Sequence, residues 1–160
     1  MKTVLLIAAS ILAVATQAQT FTASLSGANE RPSGNASAAT GVAAISIAGD
    51  LLTYSVSYSG LTPTAAHLHA AAGVGANAGV IVPFTLASSS GNAGLYSGTA
   101  TITGTQKSDI LAGLSYANIH TAAFPGGEIR GQVVAVPEPG TVALLGLGAA
   151  MIAYRMRRKA

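Results

Sequence analysis

The clearest pattern in the chain is LLTYSVSYS, where Leu52, Tyr54, Val56 and Tyr58 alternate with Thr53, Ser55, Ser57 and Ser59. A period of two puts the large side chains on one face of a β-strand and the hydroxyls on the other. Ala43, Ile45 and Ile47 alternate in the same way just upstream, and Ala48-Gly49-Asp50 supplies a tight turn, so the two segments predict a hairpin. Phe21 to Ser26 predicts a shorter strand, followed by a loop of Gly, Asn, Ser and Ala. Val80 to Leu86 is β-rich with Pro83 inside it, which places it at an edge or a bulge because proline cannot donate to the ladder. Ser88 to Gly94 reads as a turn cluster, Leu95 to Thr103 as a strand, and Lys107 to Leu114 as one or two helical turns. Ser115 to Thr121 and Glu128 to Ala135 flank Phe124-Pro125-Gly126-Gly127 as a last hairpin. About eight short strands, regular turn signals and no long amphipathic helix predict an all-β fold, an antiparallel sandwich or barrel.

The two ends follow other rules. Residues 1–18 have a basic start at Lys2, an apolar run from Val4 to Val14 and a small, polar close at Thr16-Gln17-Ala18, the form of a secretory signal peptide cleaved after Ala18. The run is too short to span a bilayer, which takes about 20 apolar residues. At the other end Pro137 and Pro139 stop any preceding strand. An apolar stretch rich in Gly and Ala follows over 141–154, then Arg155, Arg157, Arg158 and Lys159. Basic residues after an apolar segment stay on the cytoplasmic side, which leaves the preceding domain outside. Residues 136–160, with Pro137-Glu138-Pro139, a hydrophobic helix and an Arg-rich end, resemble a PEP-CTERM sorting signal. That resemblance implies transient residence of 141–154 in the inner membrane, removal of the tail by an exosortase, and delivery to the cell surface or extracellular matrix. Without processing, the domain would stay anchored outside the cytoplasm.

Removing the ends changes the charge. The whole chain is +3, yet the domain over 19–135 keeps only Arg31, Lys107 and Arg130 against Glu30, Asp50, Asp109 and Glu128. No Lys/Arg cluster remains to neutralise phosphates, so a nucleic-acid partner is excluded. The chain has no cysteine. Burial and backbone pairing must therefore hold the fold, and no thiol can serve as nucleophile or metal ligand.

His67-Leu68-His69 and His120 carry the remaining chemistry. Residues two apart on a strand share a face at a separation of about 6.5 Å, so His67 and His69 can present imidazoles to one ion. If the strand of His120 lies beside Ala65–Ala70, all three converge, and an imidazole cluster without thiolates suits copper(II) or zinc. The competing structural reading has these histidines hydrogen-bonded to backbone or to Glu128. Glu128 and Arg130 read as a same-face surface pair, or as outer-sphere partners of His120 across the hairpin. The acidic residues are too scattered for a hydrolytic carboxylate pair, and no serine sits in a nucleophile-elbow pattern.

Leu25-Ser26-Gly27-Ala28-Asn29-Glu30-Arg31-Pro32, Tyr58-Ser59-Gly60-Leu61, Ala66-His67-Leu68-His69, Asn118-Ile119-His120-Thr121 and Phe124-Pro125-Gly126-Gly127-Glu128-Ile129-Arg130-Gly131-Gln132 together resemble a CHRD (chordin-type) domain. Arg31 and a single Pro32 depart from the hydrophobic residue and paired prolines common in that family. The resemblance implies an immunoglobulin-like β fold in an extracellular protein and leaves its biochemical activity undefined. The His-x-His strand is also similar to that of copper/zinc superoxide dismutase, a Greek-key barrel, but only His67, His69 and His120 carry over. There is no bridging histidine, no zinc set in the 70–79 loop and no cysteine pair. The expected fold is thus an antiparallel Greek-key sandwich or barrel, immunoglobulin-like or superoxide-dismutase-like. The expected role is a non-enzymatic structural or interaction module of the envelope or matrix, with polysaccharide as a candidate partner. The alternative is a mononuclear copper or zinc protein, conceivably redox-active.

Overall fold

The computed structural model describes residues 18–137, 147–148, 151–152 and 154–157. The elements are β1 Gln19–Ser26, a 3-10 turn Gly27–Asn29, β2 Thr40–Ala48, β3 Leu51–Ser59, β4 Pro63–Ala70, β5 Val80–Pro83, β6 Leu86–Ser90, β7 Ala93–Thr101, α1 Gly104–Leu111, β8 Ser115–Thr121, β9 Ile129–Gln132 and β10 Val134–Ala135. Every strand pairing is antiparallel, and the chain is all-β. The strands form one sheet in the order β5-β4-β8-β9-β1-β2-β3-β7-β6, with β10 also paired to β1. β9 and β10 run along the same side of β1, Ser26 opposite Arg130 and Phe21 opposite Ala135. The break between them is Val133, whose N–H donates to the Ser115 carbonyl at 2.8 Å.

Connectivity forces this sheet to curl. β3 and β4 are five strand positions apart in the order, about 24 Å if the sheet were flat. Residues 60–62 alone join them, a link that reaches about 14 Å when fully extended. The sheet therefore bends into a half-barrel with its apolar faces inward. The run from Val80 to Ser90 draws the two edges together: Phe84 N–H donates to the Ala66 carbonyl on β4 at 2.8 Å, and one residue later the Thr85 carbonyl accepts from Ser97 of β7 at 3.1 Å. Pro83 lies in β5, at one end of the sheet, the edge setting that a residue without an N–H requires.

The core is the inward set of the alternating strands. Leu52 and Val56 from β3, Leu68 from β4, Ile119 from β8, Ile129 from β9 and Ile110 from α1 are fully buried. Thr53, Ser55, Ser57 and Ser59 are exposed, as their alternation predicts. The β2–β3 hairpin turns at Gly49, whose φ of 61° is the positive value that glycine supplies at the first central position of a tight hairpin turn.

Three boundaries differ from the sequence expectation. The turn cluster at Ser88–Gly94 contains most of β6, because pairing with β7 orders serines that local propensity assigns to a turn. The helix begins at Gly104, not Lys107, since Thr103 and Gln106 make reciprocal side-chain-to-backbone bonds of 3.2 and 2.9 Å, a capping box. Among the described residues strands number ten rather than about eight, through β6 and the split at Val133. The expected tail helix is helical at 147–148, 151–152 and 154–157, and among the described residues no helix is long and apolar enough to cross a membrane. The signal peptide expected over 1–18 lies, apart from Ala18, outside the described residues.

Candidate metal centre

β4 and β8 are neighbours, with Ala65 opposite His120, His67 opposite Asn118 and His69 opposite Tyr116. On β4, Ala66 and Leu68 point into the core while His67 and His69 point away from it. On β8, Ala117 and Ile119 are the core residues and Tyr116, Asn118 and His120 share the other face. That outer face is not free. Loop 71–79 covers it at one end, where Ala78 meets His69 and Tyr116, and loop 122–128 covers it at the other, where Pro125 meets His120. This coverage makes β8 buried on both faces.

The three histidines meet in this layer. His67 Nδ1 is 3.2 Å from His120 Nε2, and each imidazole offers a nitrogen within 4.8 Å of the others. Three points so spaced lie within about 2.8 Å of a common centre, close to the 2.0–2.1 Å of a zinc–nitrogen bond. Two nitrogens on one such ion are about 3.3 Å apart in tetrahedral geometry and about 2.9 Å apart at a right angle. The His67–His120 separation falls between these values.

Backbone carbonyls set the tautomers. His69 Nδ1–H donates to the Ala78 carbonyl and His120 Nδ1–H to the Pro125 carbonyl, both at 3.0 Å. In each ring this leaves the Nε2 lone pair for another partner, the outer-sphere arrangement typical of metal-binding histidines. His69 Nε2 is buried and unpartnered, and an orphan of this kind costs about 1–3 kcal/mol. Protonation is resisted at two rings. Burial, and then the His120 ring, hold His67 below the usual imidazole range. Burial is also the largest cause for His69; the bond to Ala78 opposes it, and the neighbouring His67, His120 and Arg130 add to it. Both are neutral at neutral pH, as ligands must be.

Tyr116 and Arg130 build the wall behind the cluster. The Tyr116 ring stacks on His69 from β8, with centroids 4.7 Å apart and planes within 1° of parallel. Arg130, from β9 on the far side of β8, puts its guanidinium 3.4 Å from the Tyr116 ring centre. Its nitrogens donate to Asn77 Oδ1 at 2.8 Å and to the Ala76 carbonyl at 2.7 Å, which fastens loop 71–79 over the histidines.

The expected pairing of Glu128 with Arg130 or His120 is not present. Both residues are buried and neither bonds a histidine. Glu128 instead accepts from Thr121 Oγ1 at 2.6 Å and Ser37 Oγ at 2.7 Å. The reason is the second layer of loops, which converts the outer face of β8 and β9 from surface into interior. Tyr116 and the carbonyls of Ala78 and Pro125 were not anticipated from the sequence. Spacing alone offered a signal only for Tyr116, which is two and four residues before Asn118 and His120 and so shares their face. Glu30, read from the sequence only as an isolated acid, is also buried, with Oε1 unpartnered. Burial raises its carboxyl to about 7, against lowering by the Arg31 backbone N–H and by the charges of Arg130 and Arg31. Gly127, at φ 133°, passes so close that a Cβ there would overlap both Glu30 Oε1 and the Asn118 amide.

Of the tail residues, Pro137, Arg155 and Arg157 are exposed, while Glu138, Pro139 and Arg158 lie outside the described residues.

Comparison with protein families matches a CHRD domain over residues 21–133 and a PEP-CTERM protein-sorting motif over 135–159. Comparison with curated proteins and with solved structures returns no match. The sorting motif points to export and surface sorting, with processing by an exosortase membrane enzyme. By the first of these matches, over most of its length, the chain belongs to the CHRD domain family.

Proposed function

We propose that this exported domain binds one copper(II) or zinc ion through His67, His69 and His120, after removal of residues 1–18 and of the tail beyond 135. The observation that carries the reading is the convergence of three imidazoles from two paired strands, two of them held by backbone carbonyls in the tautomer a metal needs. Binding would replace the His67–His120 hydrogen bond with two ligand bonds and occupy the orphaned His69 Nε2. All-nitrogen donors suit copper(II) and zinc. When bound, the ion supplies Lewis acidity, and copper also a one-electron couple. The protein's own part is to hold the rings, exclude water from His69 and keep His67 and His69 unprotonated.

A metal that binds only the folded state stabilises it by about 2.7 kcal/mol at a hundredfold excess over Kd, roughly a 10 °C rise in melting temperature for a domain of this size. Calorimetry with copper(II) or zinc checks this. His69→Ala and His120→Ala should abolish the rise, and an undiminished rise in those variants rules the site out.

A second reading, an interaction module for matrix polysaccharide, rests on a different face. A groove of about 480 Å³ crosses β1, β2 and β3, lined by Thr20, Thr22, Ser46, Thr53 and Ser55 among others. The surface exposed in it is mostly apolar, from the carbon atoms of these side chains and from Ala44 and Val136, so a neutral glycan there would pack its C–H faces and make few hydrogen bonds. Co-sedimentation with isolated matrix polysaccharide, lost in a Thr53→Glu, Ser55→Glu variant, tests it.

A further inference from the structure

The histidine cluster stops at three ligands. Among the described residues no cysteine, aspartate, glutamate or fourth histidine joins it, so an ion there keeps at least one coordination position for a group from outside the chain. The cluster is also open to solvent on one side: His67 and His120 are only partly buried, while His69 is 7 % exposed.

The surroundings select the sign of that group. Nearby charge on the protein is cationic, from Arg130 beneath Tyr116. Neither buried acid joins the cluster as a ligand: Glu128 accepts from Thr121 and Ser37, and Glu30 is buried apart from the histidines. Among the described residues no carboxylate joins the cluster to act as a general base toward a metal-bound water. Elsewhere on the domain an anion meets two cationic side chains: Arg31, partly exposed and donating to the Glu30 carbonyl at 2.9 Å, and Lys107. Lys107 is already 3.7 Å from Asp50. Tyr54, Tyr58, Tyr96 and Tyr116 are all buried, as are Phe21 and Phe84, so a sugar ring finds no tyrosine platform.

We infer that the open position takes a carboxylate, supplied by the uronate groups of an acidic polysaccharide, so that the metal docks the domain onto anionic matrix. This rests on the metal reading above. A polymer is favoured over a free organic acid because the location to which the sorting motif points is the cell surface, and because repeated carboxylates along one chain raise effective concentration at a single open site.

The test is electron paramagnetic resonance of the purified protein carrying one equivalent of copper(II), titrated with acetate and, separately, with oligogalacturonate. Retention of copper is checked by equilibrium dialysis. The expected result is a shift of the copper spectrum with both probes, with half-saturation at least tenfold lower per carboxylate for the oligomer. Equal affinity per carboxylate overturns the polysaccharide assignment in favour of small organic acids. No spectral change with either probe, while copper stays bound, overturns the open position. Failure to see imidazole-coordinated copper before any probe is added overturns the metal reading itself, and is distinguishable from the other two.

Discussion

At Glu30 a carboxyl that is 5 % exposed, with one oxygen unpartnered, sits against Asn118 and the backbone of Gly127. Its value in the fold, about 7, lies above the 4.5 of the free group, so the folded state holds this proton more tightly than the unfolded chain does. The contribution to stability is complete below pH 4.5, falls as pH rises through the interval up to 7, and is gone above it. The size of the loss is roughly 1–3 kcal/mol, since each tenfold change in proton affinity is worth about 1.4 kcal/mol. Glu30→Gln keeps the shape of the protonated acid and removes the titration. Urea denaturation should therefore show wild type and variant alike at pH 4.5 and the variant more stable at pH 8, and a wild-type advantage at pH 8 would refute the assignment. The histidines work in the opposite direction. His67 and His69 have lowered values, so their contribution is present above pH 6.5 and lost on acidification, and metal affinity is lost with it.

At the scale of elements, the proposed metal site depends on loop 71–79 as much as on the strands that carry the histidines. Arg130 fastens the loop through Asn77 and Ala76, and the next residue, Ala78, orients His69. Arg130→Met should keep much of the packing on Tyr116 while releasing the loop. The expected outcome is faster amide exchange across 72–79, a stability loss of about 2–4 kcal/mol for breaking a buried charged network, and a metal affinity lower by about 10- to 100-fold, as for loss of outer-sphere support. Normal metal affinity with an unfastened loop would show that the histidines hold themselves. This element also marks where sequence reading stopped. LLTYSVSYS declared a two-faced strand because one of its faces meets water, and the His67–His69 pair was legible for the same reason of parity. β8 was not legible as a strand buried on both sides, since SYANIHT reads locally like any edge of a hairpin. Part of its second cover comes from loop 71–79, about 40 positions away in sequence, and part from loop 122–128 folding back on the strand it follows; no local period reports either. The reading of Glu128 and Arg130 as a surface pair failed by the same omission, since both are buried.

At the scale of the whole molecule, the domain stands without disulfides, so reductant should leave its melting temperature unchanged. The sorting motif lies at the C-terminal end, opposite in sequence to the leader proposed over 1–18. Replacing Arg155, Arg157 and Arg158 with Gln should cause accumulation of unprocessed protein in the inner membrane, read by fractionation and by the mass of the C-terminal peptide, whereas normal release would show that the basic end is dispensable. The pairing of Phe21 with Ala135 has a consequence for this traffic. The first strand begins beside the end of the last, so the proposed leader and the sorting tail would leave from one point on the domain surface. Ser26, Arg130, Asn118 and His67 lie at a common level across the sheet, five residues further along β1, or about 17 Å. A domain tethered by that tail would be held at one pole and present the histidines well away from it, and removal of the tail would take away nothing that the histidines use.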